Sequence, residues 1–549
     1  MYLPEHKIAD ASKAFPKPSQ PLVYGTAGFR TKCVVHSNHR ADLLTSTCFR
    51  MGMVAALRSL SLDGAAVGLM VTASHNPEPD NGIKMVDSMG QMLAPEWEPL
   101  CTAVANAETV EDLIRELRRI VDLFPLDATN KPHVVYAWDS RPSSPALVDA
   151  IRAGLHALDA TSTGGGLLTT PQLHYLVLAT NTRLTPRPFG EPSEQGYYRK
   201  LANAYMAVAG GRRAPPLVVD CANGVGARAL QGLLDALPPN TLDITALRTA
   251  LGERGQLNHG CGADFVKSQQ RLPEGYADES AIQPGTLLCS FDGDADRIVF
   301  YYLTGPASDP ASFHLLDGDK IASLAADYLS DLVKTTGVPL QLGCVQTAYA
   351  NGASTAYLQA KVPITCTKTG VKHLHHAAEQ YDVGVYFEAN GHGTVLFSPH
   401  ATVQLELALK GADGAKAAAL HELLSLAVMV NQTVGDALSD MLLVLVILAA
   451  RAWDAHAWDA CYSDLPNRLA KVTVRDRTVF RTTDAERRLT SPAPLQAKMD
   501  ELVHAVPSGR AFVRPSGTED CVRVYAEAAT TADAERLVRQ VSELVSSSA

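Results

Sequence analysis

Short β-rich runs that end in a small polar or glycine-containing loop and continue into a helical stretch recur along this chain. Residues 67–71 run into Thr72-Ala73-Ser74-His75-Asn76-Pro77, and residues 134–138 run into Asp139-Ser140-Arg141-Pro142 with helical periodicity from Ala146. Residues 217–219 lead to Asp220-Cys221-Ala222-Asn223-Gly224 and a helical stretch over 227–234, and residues 343–345 precede a loop with Ala350-Asn351-Gly352. Strands alternating with helices predict βαβ units and largely parallel sheets, an α/β class. The Ala-Asn-Gly echo at 222–224 and 350–352 hints at repeated units.

After Trp458 the pattern changes. Residues 471–474, 510–513 and 521–526 read as strands. Residues 532–545 place Leu537, Val538, Val541, Leu544 and Val545 on one helical face, so a small α+β domain is expected to close the chain. At about 150 residues per domain, 549 residues predict three or four domains. Polar, Pro- or Gly-rich stretches at 183–193, 304–312 and 410–418 are the expected boundaries.

Composition narrows the function classes. A net charge of −10 gives no broad footprint for a nucleic-acid backbone, although a local arginine cluster can still take a small phosphorylated ligand. The apolar run 441–450 is about half of the ~20 residues a spanning helix needs, so it predicts a buried helix and no membrane insertion. The first residues carry no apolar signal core and the last three are not a peroxisomal tail. Ten cysteines with no C-x-x-C pair suit neither a disulfide framework nor zinc. A reduced, cytoplasmic protein is expected, and the sequon at Asn431-Gln432-Thr433 reads as incidental.

Five loops can carry chemistry. Asp292-Gly293-Asp294-Ala295-Asp296-Arg297 lies between two strand-like runs. Alternating carboxylates on an extended turn can converge on one hard cation such as Mg²⁺. An EF-hand is ruled out by Arg297 and Leu303 at the positions that need Gly and Glu, and the bland alternative is a solvated acidic hairpin. Thr72 to Pro77 offers Ser74, but without a G-x-S-x-G elbow and with His75 poorly placed beside it as a base. An ST-turn before Pro77 explains that loop equally well. Taken with the acidic loop, a phosphorylated Ser74 would complete the coordination of a Mg²⁺ held by three carboxylates.

Arg514-Pro515-Ser516-Gly517-Thr518-Glu519, followed by Arg523, supplies the guanidiniums, hydroxyls and open backbone amides that a phosphate dianion requires. A plain turn between strands is the alternative. Glu388-Ala389-Asn390-Gly391-His392 sets a carboxylate beside an amide, which suits sugar hydroxyls, or again an ordinary turn. Gly25-Thr26-Ala27-Gly28-Phe29-Arg30 is a glycine-punctuated loop with one cation. Lys84 and His75 are candidate acid–base groups, though single Lys and His residues are more often structural. Phosphoryl transfer on a sugar phosphate is the reaction that uses the whole set.

On these motifs, with Asp80-Asn81-Gly82-Ile83-Lys84 and the lesser stretches 166–171, 258–267, 368–376 and 462–468, the chain resembles the α-D-phosphohexomutases from about residue 20 to 527. The resemblance implies a four-domain phosphohexomutase architecture. Three related α/β domains with mixed sheets and a smaller C-terminal α+β domain surround a central cleft. The expected boundaries are 1–195 with the phosphoserine loop, 196–308 with the metal loop, 309–455 with the sugar loop, and 456–549 with the phosphate loop. It implies catalytic Ser74, His75, Lys84 and Arg297, and one Mg²⁺ on Ser74, Asp292, Asp294 and Asp296. Substrate would be held by Thr26, Arg30, Glu388, Ala389, Asn390, Gly391, His392, Arg514, Pro515, Ser516, Gly517, Thr518 and Arg523.

Its reaction would pass the phosphoryl group of phospho-Ser74 to a hexosamine monophosphate through a sugar 1,6-bisphosphate, which also serves as activator. The loop at 388–392 is similar to the acetylglucosamine branch, so N-acetylglucosamine 6-phosphate and 1-phosphate are the expected pair, feeding UDP-N-acetylglucosamine synthesis in a monomeric enzyme. The rivals are a phosphoglucomutase or phosphomannomutase, a silent sugar-phosphate sensor, and a Mg²⁺ phosphatase.

Overall fold

The computed structural model describes residues 3–17, 21–25, 28–30, 41–127, 129–276, 279–516 and 520–548. The chain divides into two compact units, residues 1–315 with 428–450, and residues 316–427 with 451–549.

The first unit holds two five-stranded mixed sheets. In one, Val67–Val71, His133–Trp138 and Thr161–Leu167 run parallel, and Gly82–Val86 and Phe29–Arg30 add antiparallel at the edge. The three parallel strands follow from the strand–loop–helix repeats, because parallel neighbours need a crossover. Helices Thr45–Leu60 and Ser144–Ala157 pack on each other through two glycines. A Cβ on Gly154 would sit 1.9 Å from the carbonyl of Phe49, and one on Gly52 would sit 2.5 Å from that of Ile151, so only glycine permits this approach. Helix Thr170–Thr182 starts on a capping box, in which Thr169 Oγ1 accepts from Gln172 N and Gln172 Oε1 accepts from Thr169 N.

The second sheet has Leu217–Asp220 parallel to Ile244–Leu247 and Leu287–Phe291, and Ile298–Leu303 antiparallel to Leu287–Phe291. Residues 428–450 return to this unit, and Ala437–Arg451 is buried from Ala437 to Leu448 as its apolar run predicts. The sequon has no free amide. Asn431 is buried and its Nδ2 donates to Asp436 Oδ2 at 3.0 Å.

The second unit holds a four-stranded sheet, Ile364–Thr367, Leu342–Thr347, Val383–Phe387 and Gly393–Phe397, antiparallel only in its last pair. A three-stranded antiparallel sheet joins Asn467–Thr473, Cys521–Glu527 and Arg510–Pro515, and a two-stranded one joins Arg481–Thr483 and Arg488–Ser491. Val513, Val522, Val524 and Ala526 pack from one face onto Leu537, Val541 and Val545 of the final helix Thr531–Ser547. The opposite face carries Phe512 stacked on Tyr525 at 5.2 Å, and below them the Arg510–Glu527 ion pair.

Residues 183–193 connect two helices, Thr170–Thr182 and Glu194–Ala209, and one expected boundary is corrected. Residues 410–418 are partly helical, because Gly414–Met429 begins there and its Ala417-Ala418-Ala419 run favours helix. No helix among the described residues is long and apolar enough to cross a membrane.

Candidate active site

Ser74 sits just past the C-terminal end of Val67–Val71, where loops of a parallel sheet gather functional groups. It is buried and adopts φ 53, a left-handed conformation rare for a residue with a Cβ. Its Oγ donates to Asp292 Oδ2 at 2.6 Å, a residue 218 positions away. Its backbone N–H donates to Thr72 Oγ1 at 2.9 Å, and that hydroxyl donates to Asp139 Oδ2 at 2.7 Å.

The acidic loop is no solvated hairpin. Asp292, Asp294 and Asp296 are all buried, and one oxygen from each lies within 4.8 Å of the others. Three buried like charges are costly without a cation. Burial, reinforced by Asp296 and Asp294, pushes the Asp292 carboxyl well above the usual range. For Asp294, burial and Asp296 act upward, but Lys84, Thr170 and Arg30 outweigh them and hold the group low. Thr170 Oγ1 donates to Asp294 Oδ2 at 2.6 Å from the capped start of its helix, while Asp294 Oδ1 is buried and unpartnered among the described residues. Hard oxygen donors that converge within one small space and a spare acceptor together suit Mg²⁺.

Cations surround the triad. Lys84 Nζ donates to Asp294 Oδ2 at 3.1 Å and to Asp296 Oδ2 at 3.0 Å. Burial pulls the Lys84 pKa down, but those two carboxylates more than reverse it, so the group is an ammonium. Arg297 Nε lies 3.7 Å from Asp296 Oδ1 and 3.9 Å from Asp292 Oδ2. Arg30 stands in the same field, its pKa lowered by burial and then by Arg297 against the upward pull of the three aspartates. His75 is held neutral, its pKa lowered to about 2 by burial and then by Arg297 and Arg30.

Sequence reasoning gave no role to Arg141, which carries the loop from beneath. Both Arg141 and Asp139 are buried and paired at 3.0 Å. Arg141 Nη1 donates to the carbonyls of Pro77 and Asp80 at 2.7 and 3.0 Å, and Nη2 to those of Ser74 and Asn76 at 2.9 Å each. Asn258 Nδ2 donates to the Ser74 and Asn76 carbonyls at 2.8 and 3.0 Å. The available signal was the position of Asp139-Ser140-Arg141 after a strand parallel to Val67–Val71.

In the second unit the sugar loop is a tight turn between Val383–Phe387 and Gly393–Phe397. Glu388 N–H donates to the His392 carbonyl at 2.9 Å and Gly391 N–H to the Glu388 carbonyl at 2.8 Å. Asn390 Oδ1 accepts from His392 N–H at 3.0 Å, and its Nδ2 lies 3.3 Å from Glu388 Oε2. Glu388, Ala389 and Asn390 are half-buried, whereas Gly391 and His392 are buried.

Arg514 and Pro515 end the strand Arg510–Pro515, with the buried Ser516 just beyond, and the neighbouring strand carries the exposed Arg523 directly opposite Arg514. Lys471 is directly opposite Arg523 on its other side, so three cations form a row across the sheet. Thr26, Gly517 and Thr518 lie outside the described residues.

Four family models match: "Phosphoglucomutase/phosphomannomutase, alpha/beta/alpha domain I" at 52–112, "Phosphoacetylglucosamine mutase AMG1, domain II" at 193–299, its "domain III" at 317–453, and the "Phosphoglucomutase/phosphomannomutase, C-terminal domain" at 480–544. Phosphoacetylglucosamine mutase 1 of Schizosaccharomyces pombe is 47% identical over 529 residues, covering 95% of this chain and 98% of that protein. The Homo sapiens phosphoacetylglucosamine mutase is 46% identical, covering 95% of this chain and 93% of its own. The crystal structure of Aspergillus fumigatus N-acetylphosphoglucosamine mutase in complex with GlcNAc-6P and magnesium superposes with a TM-score of 0.93 at 46% identity, covering 100% and 99% of the two chains. The chain belongs to the phosphoacetylglucosamine mutases of the α-D-phosphohexomutase superfamily.

Proposed function

We propose that this protein interconverts N-acetylglucosamine 6-phosphate and N-acetylglucosamine 1-phosphate, using Ser74 as the phosphoryl carrier. The observation that carries this reading is the 2.6 Å contact from Ser74 Oγ to Asp292 inside a buried carboxylate triad. Mg²⁺ held by Asp292, Asp294, Asp296 and a phosphoryl oxygen on Ser74 would neutralise charge as the phosphoryl group moves.

In the forward half-reaction the Ser74 Oγ–P bond breaks and the free hydroxyl of the sugar monophosphate forms the new O–P bond. Lys84 supplies a proton to the departing Ser74 oxygen and takes up the one the hydroxyl loses, while His75, the uncharged imidazole, accepts a hydrogen bond from that hydroxyl. The 1,6-bisphosphate turns, and its other phosphoryl returns to Ser74 by the reverse proton movements. Arg297 and Arg30 add positive charge around the transferring group, where fixed charges act with little reorganisation. Ser74 is kept in line by Arg141 and Asn258, which hold its carbonyl.

Glu388 accepts hydrogen bonds from sugar hydroxyls, Asn390 can donate and accept, the small Ala389 and Gly391 leave room at the second carbon, and His392 completes the loop. Thr26, Arg30, Arg514, Pro515, Ser516, Gly517, Thr518 and Arg523 complete the substrate contacts. The four domains are 1–195, 196–308, 309–455 and 456–549. We place the enzyme in the cytoplasm as a monomer. Nine described cysteines are free, as in a reducing compartment, and the serine, triad and cations all come from one chain.

The deciding test is kcat/KM for N-acetylglucosamine 6-phosphate against glucose 6-phosphate with the same Mg²⁺ and bisphosphate activator. Preference for the acetylated sugar by about ten- to a hundredfold is expected, because room rejects a smaller substrate weakly. A higher value for the glucose compound would make the protein a phosphoglucomutase, and release of free phosphate would make it a phosphatase.

A further inference from the structure

The arginine proposed to clamp phosphate already has an acidic partner. Glu486 stands at the tip of the hairpin formed by Arg481–Thr483 and Arg488–Ser491. Its Oε1 lies 2.9 Å from Arg514 Nε, and its Oε2 accepts from the backbone N–H of Thr369 at 2.9 Å. The carboxylate is only 13% exposed. Asp484, Ala485 and Glu486 have φ 52, 53 and 69, three successive left-handed residues with no glycine among them. Such backbone persists where the surroundings over-determine it, and the two anchoring contacts of Glu486 are what fasten this tip.

The partner answers a local imbalance. Direct partners in an antiparallel sheet project to the same face, so Lys471, Arg523 and Arg514 stand side by side as like charges, an arrangement that destabilises a sheet. An anion at the end of the row offsets it. The groups that Glu486 meets, a guanidinium at ion-pair distance and a loop N–H, are also those that bind phosphate. The hydroxyl of the same Thr369 is buried and unpartnered among the described residues, a further donor for a larger anion. A carboxylate and a phosphate dianion cannot share these donors without facing each other as like charges.

We infer that Glu486 is a resident counter-anion of the Arg514 clamp, which the phosphate of the substrate displaces on binding and which refills the site when the phosphate leaves. This rests on the mutase reading above and deepens it. A bisphosphate that must release one phosphate and present the other gains from a tethered anion that returns to the vacated clamp. Ground-state affinity is sacrificed for exchange.

The test uses Glu486→Gln, which keeps an oxygen for Thr369 N–H, and Glu486→Ala. Each is combined with Ser74→Ala so that no turnover occurs, and each is checked for an unchanged melting temperature. Calorimetric titration with N-acetylglucosamine 6-phosphate, and separately with inorganic phosphate, is expected to give five- to twentyfold tighter binding in the Gln variant. Adding Arg514→Ala is expected to erase the gain. In the Ser74 background kcat for the Gln variant is expected to fall or stay level while KM falls. Unchanged affinity would reduce the pair to structural support, and weaker affinity would mean that Glu486 orients Arg514. Either result overturns the inference. Isomerisation without tightening refutes the role of Glu486 alone, and tightening without isomerisation by the Ser74 protein refutes the mutase reading alone.

Discussion

Arg141 Nη2 donates to the carbonyl oxygen of Ser74 at 2.9 Å, while the Ser74 hydroxyl points to Asp292 at 2.6 Å. The arginine therefore grips the backbone of the residue whose side chain enters the triad. Four loop carbonyls share its guanidinium, and Asp139 holds its Nε. A lysine ammonium is a point donor and cannot span that set. Arg141→Lys is expected to lower kcat by about a hundredfold with little change in KM, the cost of misplacing a reacting group. It also breaks a buried pair, so the melting temperature falls. Steady-state kinetics with wild-type kcat would show that the four bonds brace nothing the chemistry uses.

Ser74→Ala is expected to abolish isomerisation and leave the fold in place, since one hydroxyl is lost and no packing atom. Alanine in the left-handed conformation costs about what serine does. Intact-mass measurement of active wild-type protein is expected to show one phosphate, mapped to Ser74 by peptide fragmentation, and the Ala variant none. Normal turnover by the variant would move the carrier elsewhere.

Removal of divalent cations is expected to stop turnover, with Mg²⁺ restoring it. A ligand that binds only the folded state stabilises it by about 2.7 kcal/mol at a hundredfold excess over Kd, so Mg²⁺ should raise the wild-type melting temperature measurably. Asp292→Asn, Asp294→Asn and Asp296→Asn should each reduce that rise. Asp292→Asn carries a second signature. Its carboxyl is already pushed toward the neutral form, so without metal the variant should be at least as stable as wild type. A metal-dependent rise that survives in all three variants would remove the metal assignment.

Asp440 offers a test of pH dependence away from the site. It is fully buried in the Ala437–Arg451 helix with both carboxylate oxygens unpartnered among the described residues. Burial, then the charge of Asp436, pushes its pKa well above the ordinary value. Tyr197 faces the same pair, its hydroxyl 2.8 Å from Asp436 Oδ2. Above the ordinary carboxylate pKa of about 3.9 the unfolded chain has released this proton and the folded chain has kept it. The native state then binds more protons, and stability falls as pH rises toward the raised folded value. Asp440→Asn removes this titration. Its advantage in stability over wild type should grow between about pH 5 and pH 8, by at most about 1.4 kcal/mol per pH unit. A pH-independent difference in urea unfolding would show that Asp440 is ionised in the fold.

Local pattern was enough to read the strand–turn–strand around the triad. Ile298–Leu303 is apolar throughout and Leu287–Phe291 apolar but for Ser290, and nothing but the acidic turn lies between them. The closing helix was equally plain, since Leu537, Val541 and Val545 repeat at helical spacing and are buried together. The support under Ser74 was not readable. Arg141 reaches a carbonyl 67 residues earlier and Asn258 reaches it from 184 residues later, and backbone acceptors leave no mark on composition. Glu486 was missed for another reason. Its turn, Asp484-Ala485-Glu486-Arg487, has no glycine or asparagine to announce left-handed backbone, and one charge in an exposed-looking stretch resembles many others. The alanines after Lys410 misled in the opposite direction, since a small, polar-flanked run serves equally for a linker and for the first turn of a helix.

The return of residues 428–450 to the first unit sets an order on biosynthesis. When residue 315 leaves the ribosome, the Tyr197 hydroxyl still lacks Asp436, and the Ala295 carbonyl still lacks the Ala437 N–H that it accepts at 3.0 Å. A nascent chain must therefore hold its first unit open while more than a hundred residues of the second emerge. Cutting the gene at 315 would not liberate an N-terminal half. It would free an incomplete one, lacking a buried helix that only the later part of the message encodes.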